Sequence, residues 1–160
     1  MPHPRHLSVL LCIALLCIPP AAISGEAGNE QDTTELTLNG QTLSVELATT
    51  PAQRARGLMF RASMPANHGM LFLFSRPRSM AFWMKNTAMP LDILFFDQQS
   101  RLITAHYNVP PCRSTPCPHY SSGRPAALVL ELNGGRSAAL KLREGDKLTI
   151  VQPKKLPRPQ

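Results

Sequence analysis

The densest set of chemistry-bearing side chains lies between Phe82 and Asp92, where Trp83, Lys85, Asn86, Thr87 and Asp92 follow one another within a single short segment. Trp83 is the only tryptophan of the chain. A flat apolar ring two residues from a cation, then an amide, a hydroxyl and, beyond Pro90, a carboxylate, is the composition of a small-molecule pocket. The same residues also suit a structural turn, with Trp83 in the core, Asn86 and Thr87 satisfying turn backbone, and Lys85 paired with Asp92. Residue type alone leaves both readings open.

A second acid, Glu131, stands in the apolar run Leu128-Val129-Leu130-Glu131-Leu132. Asp92 and Glu131 would form a carboxylate pair for general acid–base work, with Lys85 as a neighbouring cation. No Gly-x-Ser-x-Gly, His-Glu-x-x-His or phosphate-loop motif supplies a nucleophile, metal or phosphate cradle. His68, His106 and His119 lie outside these segments, which disfavours a hydrolase with a histidine base. Met59, Met64, Met70, Met80, Met84 and Met89 are six of the seven methionines. Soft thioethers with His68 would suit copper(I), but they sit in apolar runs where methionine fills core gaps, and no cofactor is implied.

The elements that position these residues are mostly short strands. Leu36–Leu38 and Thr42–Leu47 alternate around Asn39-Gly40, which predicts a hairpin with a type I′ turn. Thr50, Pro51 and Gln53 predict a capped helix start, and Gly57 its left-handed stop. Strand-length apolar runs recur at 70–74, 80–84, 91–96, 101–106, 128–132 and 147–151. Residues 135–140 suggest a helical turn. The expectation is a mainly β, small single domain over 34–151, a partly closed barrel or sandwich of about 7–8 short strands with one or two short helices.

The chain has 160 residues, a formal charge of +7, 43% apolar and 17% charged residues. That excludes a two-domain protein and a disordered polymer. The first 24 residues read as a signal peptide: Arg5 and His6, an apolar run from Leu7 to Ile18, then small residues before Gly25. The implied location is periplasmic or secreted. A retained N-terminal anchor is the lesser alternative, since the run is shorter than the ~20 residues a spanning helix needs. Residues 25–33 and 152–160 read as polar tails. Cys112 and Cys117, which remain after the leader, suggest one disulfide in an exported protein. A metal site with His106 and His119, or a redox pair, is the alternative, though four intervening residues fit neither motif well. Arg54, Arg56, Arg61, Arg76, Arg78 and Lys85 face a single acid, Asp92, within 51–92, giving the prospect of one electropositive face. No basic run is interleaved with aromatics, so nucleic acid is not an expected partner.

Five segments in order, Gly57-Leu58-Met59-Phe60-Arg61, Gly69–Phe74, Phe82–Thr87, Pro90–Phe95 and Val129–Asn133 followed by Gly135, resemble the pattern of the uncharacterised family called domain of unknown function 192. The resemblance spans residues 36–151. It implies a compact, mainly β single domain, often exported, with no established activity or cofactor. Its polar positions fall on Arg61, Trp83, Lys85, Asn86, Thr87, Asp92 and Glu131, and its apolar ones on Leu58, Met59, Met70, Leu71 and Phe72. Ser100 departs from the pattern, which usually has glycine after the Asp97 turn. The expected function is a non-catalytic module binding a small polar or anionic ligand, or a cell-wall component, through the seven polar residues. An envelope enzyme using Asp92, Glu131 and Lys85, and a structural accessory protein, are the alternatives.

Overall fold

A computed structural model describes Met1, residues 32–151 and residues 156–160. The expected leader, apart from Met1, and the tail residues 25–31 and 152–155 lie outside the described residues. Among the described residues no helix is long and apolar enough to cross a membrane.

The hairpin forms as its turn chemistry dictates. β1 (Thr33–Leu38) and β2 (Gln41–Ala48) pair antiparallel, and both turn residues, Asn39 and Gly40, take positive φ, as a type I′ turn requires. α1 (Pro51–Arg56) follows with a capping box: Thr50 accepts from the Gln53 amide, and the Gln53 side chain accepts from the Thr50 amide. Gly57 ends the helix at φ 48° and ψ −137°. Its φ is positive as expected, but ψ lies outside the left-handed helical region.

The chain then enters β3 (His68–Arg78), which runs parallel to β2 with α1 in the crossover. β4 (Ala81–Phe82) is a two-residue piece of the longer strand expected over 80–84. It pairs with β7 (Tyr120–Ser121), a strand the apolar pattern does not show. β5 (Leu91–Phe96) and β6 (Leu102–Val109) form a second hairpin. There Ser100 holds φ 61°, where the pattern this chain resembles usually has glycine, while the Asp97 carboxylate accepts from the Gln99 and Arg101 amides. β8 (Ala126–Asn133), α2 (Arg136–Ala139) and β9 (Leu148–Ile150) complete the order.

Seven strands make one sheet in the order β6-β5-β8-β3-β2-β1-β9, curled into a half-barrel, with β4 and β7 as a separate two-stranded ribbon. The two edges approach one another. Arg101 bridges Lys147, the Leu102 amide donates to the Asp146 carbonyl, and the Leu148 amide donates to the Ser100 carbonyl. Leu102 and Leu148, near opposite edges, accordingly share one buried cluster with Leu38, Leu71, Leu94 and Leu130. This partly closed, mainly β domain is the expected class. A second cluster, with Leu58, Met70, Phe72, Met84, Phe95 and Val129, covers the other face of the sheet. Gly69 is fixed by close backbone approach: a Cβ there would lie 2.6 Å from the Glu131 carbonyl oxygen.

Candidate functional site

Register decides which polar residues share a face. Asp92 opposes Leu132 and Glu131 opposes Ile93, so the two carboxyls leave the sheet on opposite sides. The carboxylate pair anticipated from sequence is therefore not made. Asp92 is fully buried. Its Oδ1 accepts from the Asn108 amide at 2.7 Å and the Gly135 amide at 2.9 Å, and its Oδ2 accepts from the Ser137 amide at 2.7 Å. It ties β5 to the end of β6 and to the start of α2, and Lys85 is not its partner.

On the outer face one row runs Glu46, Met70, Glu131, Ile93 and His106 across five strands. Its two acids differ sharply. Glu46 accepts from both terminal guanidinium nitrogens of Arg61, Nη1 and Nη2, and lies 2.9 Å from His68 Nε2. Burial pushes the Glu46 carboxyl up, but the hydrogen bonds and charges of Arg61 and His68 outweigh it and hold it below its usual value. Glu131 is also buried, yet no hydrogen bond or ion pair reaches it among the described residues. Burial alone raises its carboxyl to about 8.

Glu131 faces a cavity of about 360 Å³, lined also by Gly57, Phe72, Phe82, Trp83, Lys85 and Thr87. Gly57 holds the cavity open at this point. A Cβ there would sit 3.3 Å from Phe72 Cζ and 3.9 Å from Glu131 Oε2, on a backbone whose φ already disfavours a side chain. Trp83 is 43% exposed, with Lys85 Nζ 5.2 Å from its ring centroid and His119 stacked on it at 5.9 Å. The Cys112–Cys117 disulfide closes the loop that delivers His119, and the Cys112 amide anchors that loop to the Met84 carbonyl at 3.2 Å.

Of the seven residues singled out in the sequence, Trp83, Lys85, Thr87 and Glu131 line one cavity. Arg61 is engaged by Glu46. Asn86, at φ 55°, is a turn residue whose carbonyl accepts from the Phe60 amide at 2.7 Å, and Asp92 is on the far face. Sequence reasoning missed the cations Arg54, Arg56 and Arg78 as lining residues. The excess of basic residues over 51–92 was their signal, but only the crossover through α1 places them at one opening. Met59, expected as core, is half-buried and also lines the cavity.

The family description DUF192, "Uncharacterized ACR", matches residues 34–150. The chain belongs to the DUF192 family. This DUF192 domain is similar to a crystal structure from Sinorhizobium meliloti described as a candidate transcription regulator, at 40% identity, TM-score 0.69, covering 75% of this chain and 95% of that one. It is similar too to a protein of unknown function from Novosphingobium aromaticivorans, at 34% identity, TM-score 0.69, covering 79% of this chain and 88% of that one. None of the curated proteins compared with this DUF192 chain matches it.

Proposed function

We propose that this chain is an exported, non-catalytic binding module of the cell envelope, whose outer-face cavity takes a small polar or anionic molecule. The observation that carries the reading is Glu131. Burying a carboxyl without a protein partner is costly, and a fold that retains one at the wall of a cavity beside an exposed indole and a cation has the parts of a ligand site. Trp83 offers an exposed indole, Lys85 a charge over its ring, and Glu131 a polar group at depth. Arg61 and Asn86 belong to the segments beside the cavity without lining it, and Asp92 anchors the opposite face of the sheet. A cavity of about 360 Å³ lies at the small end of ligand pockets, so the fitting molecule is compact.

The test is a thermal-shift screen of small envelope metabolites against the full chain, repeated on Glu131→Gln and Trp83→Ala. Stabilising hits that weaken in both variants support the reading. Hits that survive both variants undiminished would place binding elsewhere and overturn it.

A further inference from the structure

The charges around the cavity mouth are unbalanced. Arg54, Arg56, Arg78 and Lys85 line it, and among the described residues the only acid that does so is Glu131. Arg56, Arg78 and Lys85 are in no ion pair among the described residues, where the side-chain pairs are Arg61–Glu46, His68–Glu46 and Arg124–Glu144. Arg54 and Arg78 share the Phe74 ring, their guanidinium carbons 5.2 and 5.1 Å from its centroid. Burial, and then the charge of Arg78, lower the pKa of Arg54. Arg54 is nonetheless held in place by the Thr49, Leu73 and Gln160 backbone oxygens at 2.6, 3.1 and 2.6 Å, which leaves Arg56, Arg78 and Lys85 as the cations free to meet a ligand. Like charges fixed at the mouth of an apolar-walled cavity focus a positive potential there.

Resting on the reading above, we propose that the ligand is a ring-bearing organic anion. Its anionic oxygens meet the mouth cations, its ring packs against the exposed part of the Trp83 indole, and an oxygen on the ring hydrogen-bonds the Glu131 carboxyl. The two groups flanking Glu131 on its row, Met70 and Ile93, are apolar, and the polar members of that row, Glu46 and His106, stand one strand further out. Glu131 thus meets a ligand as an isolated carboxyl that, when protonated, both donates and accepts a hydrogen bond. A ligand bringing an ammonium group to Glu131 would have to pass four cations, which selects against it.

The test titrates the full chain at mildly acidic pH with four single-ring probes: benzoate, phenyl phosphate, benzyl alcohol and benzylamine. Fluorescence of the sole tryptophan reports binding, and calorimetry repeats the ranking. The expected result is saturable binding of benzoate or phenyl phosphate about tenfold tighter than the neutral or cationic probe, the two anions separating a carboxylate from a phosphate preference. Arg78→Gln and Lys85→Gln should each weaken the anions by about three- to fivefold, the worth of a partly exposed charge pair, while Lys147→Gln, a charge control away from the cavity, leaves them unchanged. Tighter binding of benzylamine, lost in Glu131→Gln, would overturn the anion assignment and leave the pocket reading standing. No saturable response to any probe would overturn both.

Discussion

Asp92 and Glu131 stand one register step apart on adjacent antiparallel strands and face opposite sides of the sheet. One is saturated by three backbone amides, the other has no protein partner among the described residues. The two acids that look alike in sequence are a structural anchor and a free group at a cavity. Among the described residues, Glu131 is the one acid that lines the outer-face cavity.

Asp92→Asn should be strongly destabilising. It replaces one acceptor oxygen by a donor against buried amides, leaving at least one of them unsatisfied, at a cost of about 2–4 kcal/mol. Urea denaturation at neutral pH checks this, and a loss below about 0.5 kcal/mol would contradict the anchoring role.

Glu131 should make the protein less stable as pH rises. Its folded-state value of about 8 exceeds the usual 4.5, so between those limits the folded chain holds a proton that the unfolded chain has released. The stability linked to this group is full below about pH 4.5 and declines toward pH 8, by at most about 1.4 kcal/mol per pH unit. Glu131→Gln removes the dependence. Melting temperatures of wild type and variant should therefore diverge from about pH 5 to about pH 8, with the variant the more stable at the upper end.

Glu46 should show the opposite sign. Its carboxyl is held below 4.5 in the folded protein, so its contribution is present above that pH and is lost as pH falls through the folded-state value. Arg61→Gln should cost on the order of 1 kcal/mol at neutral pH and progressively less in acid. Denaturation of both proteins across the acidic range measures the gap, and a gap that stays constant would contradict the ion pair.

Replacing Cys112 and Cys117 together by serine should loosen the loop that carries His119. Closing so short a loop stabilises by about 2 kcal/mol in the chain-entropy model, and the Trp83–His119 stack depends on it. The variant should lose about that stability and shift Trp83 emission toward the red as the indole gains water. Unchanged emission would mean that the loop does not shield Trp83.

The hairpin, the capped helix and the mainly β class were legible because each rests on local chemistry: Asn39-Gly40, Thr50-Pro51-Ala52-Gln53, and alternating apolar runs. Partial closure was expected, but which edges meet was not, since Arg101 and Lys147 come together only through long-range pairing. β7 escaped notice because Tyr120–Ser121 is too short to show a period. At the site, Trp83, Lys85 and Thr87 were readable from one short segment, and Glu131 as an acid in an apolar run. That Asp92 points away from Glu131 depends on a one-residue register between β5 and β8, and that Arg54 and Arg78 flank the same ring depends on the crossover. Neither relationship has a local sequence signal.

The most direct measurement is an amide proton–nitrogen NMR map of the full chain with and without an equimolar mixture of benzoate, phenyl phosphate, benzyl alcohol and benzylamine. Binding in the outer-face cavity predicts shifts clustered at Gly57, Leu58, Trp83, Thr87 and Glu131, with Gly135 and Ser137 on the Asp92 side unmoved. Shifts confined to the Asp92 side, or none at all, would contradict a ligand site built around Glu131.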